Sequence, residues 1–170
     1  MTVSSAKLVR GLASAVCVAG VGTLVGLAMP VPSADGNAGE PAILFSRSGT
    51  NHDLYWVGAD GSRGARLTTA PGADFLPARS PNGRKIAFTS GRGGAYQLWI
   101  MNVNGSAQTR LSPSGFTSSS WPTWSPDGSK LAFAGTQSGG GGNQVYVMNA
   151  DGTEVVRLTK SPGSNYAPAW

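Results

Sequence analysis

The sequence predicts an all-β chain of short antiparallel strands, and three observations carry that expectation. The 170 residues include 25 glycines and 11 prolines, too many helix-weakening positions for a helical bundle. Hydrophobic residues make up 40% of the chain and charged ones only 12%, with the aromatics spread along it, which opposes disorder and a collagen-like repeat. Beyond residue 40, runs rich in β-branched and aromatic residues recur at regular spacing with turn chemistry between them. The length suits one domain once an N-terminal targeting segment is set aside.

That segment comes first. Lys7 and Arg10 precede an apolar, uncharged stretch over 11–29, and small residues follow it, the order of a secretory signal. Residues 1–38 are expected to be a signal peptide and short linker, with cleavage after Ala28, Ser33, Ala34 or Ala38. An uncleaved anchor is the alternative, opposed by the glycines of the stretch and by Pro30 and Pro32. The product is expected to be exported, periplasmic or secreted, and free of the membrane after cleavage. Cys17, the one cysteine, lies inside the apolar stretch, so the mature chain has no disulfide, thiol nucleophile or thiolate metal site. Without Lys7 and Arg10 the exported part keeps 11 basic against 8 acidic residues. Apart from Arg84-Lys85 the basic residues stand singly, a pattern unsuited to tracking a phosphate backbone, so no nucleic-acid partner is expected.

The remainder, residues 39–170, repeats one unit of about 44 residues. Ile43-Leu44-Phe45, Ile86-Ala87-Phe88 and Leu131-Ala132-Phe133 open equivalent strands. Each is followed by a second run, Leu54 to Val57, Leu98 to Met101 and Val145 to Met148, and then by a turn at Asp60-Gly61, Asn104-Gly105 or Asp151-Gly152. Arg66-Leu67-Thr68, Arg110-Leu111-Ser112 and Arg157-Leu158-Thr159 come next. A fourth landmark runs Pro77 to Gly83 and Pro122 to Gly128, and Pro168-Ala169-Trp170 begins it again. One unit should hold strands near 120–125, 130–135, 144–149 and 154–159. Asp-Gly and Asn-Gly suit tight hairpins through positive φ, and Pro presets φ in the Ser-Pro-Asp-Gly turn. Each unit is therefore a four-stranded antiparallel meander with apolar residues on both faces. Radial stacking covers both faces, which predicts a β-propeller with about three blades present.

The residues at 122–133, 144–153 and 157–159 resemble the WD-like repeat of the TolB family, and the resemblance extends over 41–170. It implies a propeller, six-bladed in TolB itself, acting as a periplasmic protein-binding scaffold. Similar repeats form the N-terminal propeller of prolyl-oligopeptidase-type serine peptidases. On this reading the chain is expected to be a fragment of a larger, six-bladed propeller, with self-association through exposed terminal blades as the other outcome.

Catalytic chemistry is sparse. His52 is the only histidine and is placed in a loop spanning 46–53, where a solvated role is expected; no Gly-x-Ser-x-Gly elbow accompanies it. Asp60, Asn104 and Asp151 read as turn residues rather than calcium ligands. The glycines at 139–142 read as a hairpin connection rather than a phosphate loop, and Asn104-Gly105-Ser106, though a glycosylation sequon, as a turn first. The five tryptophans fall at repeat landmarks, which suits packing between blades. Arg66, Arg110 and Arg157 should guard blade edges. No cofactor and no enzymatic activity are expected.

The loops that differ between units suit recognition. They place a candidate partner-binding surface at His52, Asp74, Phe75, Arg92, Tyr96, Phe116, Asn165 and Tyr166. The expected function is a non-catalytic scaffold binding a protein or peptide at the cell envelope. The alternatives are the propeller portion of a serine peptidase and a carbohydrate-binding propeller.

Overall fold

The computed structural model describes residues 42–160 and 162–170. The expected signal segment, its linker and Cys17 lie outside the described residues. All the elements are strands, with no helix among the described residues.

Eleven strands form three antiparallel sheets. The first contains β1 (Ala42–Ser48), β2 (His52–Gly58) and β3 (Ala65–Arg66). The second contains β4 (Asp74–Arg79), β5 (Lys85–Ser90), β6 (Gln97–Asn102) and β7 (Thr109–Arg110). The third contains β8 (Phe116–Trp124), β9 (Lys130–Gln137), β10 (Gln144–Asn149) and β11 (Val156–Arg157). Strand order follows chain order in every sheet, so each is a meander. This is the all-β propeller-blade architecture expected from the repeat.

Both faces of the middle sheet are covered. Ile86, Phe88 and Met101 pack toward the first sheet with Leu54 and Leu67, joined by Trp56 and Trp99. Ala87 and Leu98 pack on the other side with Trp124, Leu131, Phe133, Tyr146 and Met148 of the third sheet. The two sets alternate along β5, as side chains on a strand must. An indole clasp reinforces the second interface: Trp124 Nε1 donates to the Ala78 carbonyl at 3.0 Å. Three of the tryptophans thus pack between blades, whereas Trp121 and Trp170 are 38% and 54% exposed, which corrects the uniform packing expectation.

The landmarks acquire mechanical roles. In Arg-Leu-Ser/Thr, the hydroxyl accepts the N–H of the residue facing it: Leu54 N–H to Thr68 at 3.0 Å, Leu98 N–H to Ser112 at 2.7 Å, Val145 N–H to Thr159 at 2.9 Å. Arg66 and Arg157 fold back so that Nε donates to the Thr68 and Thr159 carbonyls. These arginines therefore brace the outer strand as well as charging its edge. The turns differ in one respect from expectation. Gly61, Gly105 and Gly152 take positive φ, but Asp60, Asn104 and Asp151 do not; their side chains instead accept the N–H two residues on, an Asx turn.

Ser125-Pro126-Asp127-Gly128 closes the β8–β9 hairpin similarly. Gly128, at φ 73°, donates to the Ser125 carbonyl. The Asp127 carboxylate accepts from the Ser125 hydroxyl and from the Ser129 amide and hydroxyl. The Ser125 bond, then those of Ser129, hold the Asp127 pKa down to about 2 from 3.8. A carboxyl depressed on folding stabilises above its unfolded pKa and stops doing so as pH falls through its folded one. Acid unfolding followed by circular dichroism should therefore contain a component between about pH 4 and 2 that Asp127→Asn removes; an unchanged profile would refute the assignment.

β8 starts earlier than expected, at Phe116. Phe116, taken from sequence as an exposed loop residue, is 7% exposed and belongs to the core. It packs against Tyr146 and Phe133 with ring centroids 4.8 and 5.5 Å away. Gly135 makes room for it: a Cβ there would lie 2.8 Å from the Phe116 ring. Gly135→Val should cost about 1 to 3 kcal/mol by overpacking, read from urea denaturation. Recovery by an added Phe116→Ala would tie the cost to that ring.

Candidate functional site

The variable loops meet at one end of the sheets. Asn51 Nδ2, at the β1–β2 hairpin, donates to the Ala70 carbonyl at 3.0 Å, and Gly91 N–H donates to the Ala73 carbonyl at 2.8 Å. The segment entering β4 is thus held between the hairpins of two sheets. Gly72, at φ 104°, lets the backbone approach Arg92 so closely that a Cβ would lie 2.9 Å from the Arg92 amide.

Four of the candidate residues gather here. Asp74 accepts from Arg92 Nη2 at 2.7 Å, with the Asp74 side chain fully buried and that of Arg92 13% exposed. The Arg92 guanidinium lies 4.8 Å above the Trp99 ring and 5.6 Å from that of Phe88, a cation–π contact in a desolvated place. Phe75 and Tyr96 meet edge to face at 5.0 Å, and Tyr96 is half exposed. Its backbone carbonyl accepts from Ser119 N–H at 2.9 Å, tying this loop to β8.

Asp74 and Arg92 are therefore not the exposed loop side chains expected from sequence. They form a buried ion pair that fixes the loop carrying Tyr96. Asp74 Oδ1 and Arg92 Nε make no hydrogen bond.

The other candidates make no contact with this cluster among the hydrogen bonds and ring pairs of the described residues. Asn165 donates to Gln144 Oε1 at 3.2 Å and its amide to the Asn143 carbonyl at 2.8 Å. Tyr166 is 56% exposed; hydrogen bonds with Ser164, then Asn143, hold its hydroxyl below the usual tyrosine range. His52 is exposed, and opens β2 opposite Ser48 rather than lying in a loop.

Sequence reasoning missed a second feature. Leu76, Trp121 and Ala167 have φ of 54°, 60° and 49°, and each precedes a proline. The residue before proline normally favours extended backbone, and such strain, about 1 to 3 kcal/mol per residue, tends to cluster at functional positions. At the first two the strand register shifts, between Phe75 and Ala78 and between Ser120 and Thr123. With Pro77, Pro122 and Pro168 these residues line an apolar cleft of about 170 Å³. Phe75 and Tyr166 directly precede the cleft residues Leu76 and Ala167 in sequence. The Pro-x-Trp landmark was the available signal, read as packing alone.

A second cavity of about 260 Å³ lies beside the Gly140 to Gly142 hairpin, with Gln137, Gln144, Arg157 and Lys160 on its wall. Among the described residues no group of three His, Cys, Asp or Glu side chains is placed to hold a metal ion.

No family model matches the chain. Over 72 residues it is 40% identical to a TolB homolog of Chlorobium luteolum, a match covering 42% of this chain and 16% of that protein. Its fold is similar to that of a TolB of Agrobacterium tumefaciens (TM-score 0.63, 29% identity), over 75% of this chain and 47% of that one. Similarity to TolB of Acinetobacter baumannii (TM-score 0.63, 27% identity) covers 71% and 30%. The chain thus spans less than half the length of each of these relatives.

The ion pair generates a prediction separating support from contact. Arg92→Ala strands the buried Asp74 charge and should cost about 3 to 5 kcal/mol in chemical denaturation. Arg92→Ala with Asp74→Ala should cost less than the single change. If the double variant were worse by the sum of both singles, the pair would not be coupled.

Proposed function

We propose that this chain, a TolB-like β-propeller, is an exported, non-catalytic scaffold that binds a protein or peptide partner at the cell envelope over the aromatic rim and the apolar cleft. The observation that carries the reading is the Phe75–Tyr96 pair, in a loop held by a buried ion pair, with Phe75 next in sequence to Leu76 of a proline-lined cleft. Rigid, half-exposed tyrosines beside a small apolar pocket are the usual anchors of protein recognition, giving large contact area for little lost freedom.

The geometry favours one apolar side chain of the partner in the cleft, with Tyr96 and Tyr166 against its flanks. The TolB names of its relatives support a scaffold, and the Asp74 and Arg92 charges beneath the rim are committed to structure.

Peptides selected by display against the purified chain provide the test. Tyr96→Ala and Trp121→Ala should each weaken the selected peptides tenfold or more, about 1.4 kcal/mol. Asn82→Ala, in the β4–β5 turn at the other end of the sheet, should leave affinity unchanged. The reverse pattern would move the binding face to that end and sink the proposal.

A further inference from the structure

We propose that the cavity beside the β9–β10 hairpin binds a small organic acid, whose carboxylate takes the place that an aspartate fills in the first sheet. The repeat supplies the comparison. Arg66, Arg110 and Arg157 occupy one register position, opposite Tyr55, Trp99 and Tyr146. Two residues before each of those aromatics stand Asp53, Gln97 and Gln144, and side chains two apart on a strand share a face. Every sheet thus brings its outer-strand arginine and this residue to the same side.

In the first sheet the two form an ion pair. Arg66 Nη2 donates to Asp53 at 2.6 Å, with the Asp53 side chain 6% exposed. In the third sheet an amide replaces the acid and is already committed: Gln144 Nε2 donates to the Gly163 carbonyl, and its Oε1 accepts the Thr159 hydroxyl, both at 2.7 Å. Arg157 spends Nε on the Thr159 carbonyl at 2.6 Å, and its charge has no ion-pair partner among the described residues. A second cation stands close in sequence. Lys160, where the other sheets have Thr69 and Pro113, also makes no ion pair among the described residues.

Both cations are on the wall of the cavity of about 260 Å³, and that wall contains no carboxylate. The glycines at 140–142 form another part of it and have no side chains to fill the space; a Cβ on Gly141 would meet nothing within 4 Å. All the lining residues fall between 137 and 162, so the third sheet and its own loops build the site.

The chemistry of the wall selects the ligand. The parallel N–H groups of a guanidinium match the two oxygens of a carboxylate, and an ammonium beside it adds charge. The cavity is just below the range of about 300 to 1,000 Å³ for drug-sized ligands, which favours a small acid over an acidic protein surface. Gln137, on the same wall, supplies an amide donor and acceptor for a hydroxyl near the acid group. A small hydroxy acid therefore suits the site, whichever partner the rim binds.

Glycerate titrated into the isotope-labelled full chain, followed by nuclear magnetic resonance, provides the test, with glycerol as the neutral counterpart and inorganic phosphate as the rival anion. The amide signals of residues 140–142 should shift saturably with glycerate, at a Kd of about 1 mM or below, and not with glycerol. Arg157→Gln should weaken binding tenfold or more, and Lys160→Gln by a smaller factor. Gln144→Asp, which copies the first sheet, should remove it. Arg110→Gln, at the same register position in the middle sheet, should leave it unchanged. Absence of a saturable shift with glycerate, phosphate binding as tight as glycerate, or full affinity in Arg157→Gln would each overturn the proposal. If Gln144→Asp fails to fold, Arg157→Gln, at an exposed position, decides alone.

Discussion

A four-stranded sheet with apolar side chains on both faces cannot stand alone in water, and the rest of this structure depends on that constraint. The middle sheet meets it completely, with Phe88 and Met101 turned to one neighbour and Ala87 and Leu98 to the other. Burial of this kind stabilises by about 25 cal/mol for each Å² of apolar surface removed from water. It has no directional preference, however, so the blades need another device to set their angle. The indole clasp of Trp124 on Ala78 provides one, tying an inner strand to its neighbour by a bond with fixed geometry.

The same inner strands shape the cleft on which the proposed recognition depends. Each turns at a residue of positive φ before a proline, which opens the ladder beside the cleft. Support and contact are separate there. Asp74 and Arg92 lie beneath the rim and spend their charges on each other, whereas Tyr96 and Tyr166 face solvent. A partner would therefore meet aromatic surface already held in place, with little ordering left to do on binding.

Much of this was legible from the residues. The four landmarks placed the hairpins, the outer-strand arginines and the order of strands, because turns and edge strands are specified by short-range chemistry. Tertiary facts were not. Phe116 reads as a loop residue until Gly135, nineteen positions away in sequence, leaves the space that its ring fills. Asp74 and Arg92 read as solvated charges since nothing local tells that the Arg92 guanidinium, from the loop after β5, folds back over Phe88 and Trp99. The positive φ at Leu76 and Trp121 contradicts the ordinary preference before proline, so local rules read these positions as extended strand.

The two-sided burial of the middle sheet also bears on motion within a copy. The amides of β5 and β6 can reach solvent only through openings that separate this sheet from a neighbour, because its ladder lies between two apolar layers. Strand β11 lies at an edge among the described residues, with Val156 and Arg157 exposed, and can fray without disturbing either layer. Hydrogen exchange would then be graded along the arc rather than uniform, slowest at its centre. The centre therefore acts as the slow clock of the molecule, and the outer sheets keep looser time.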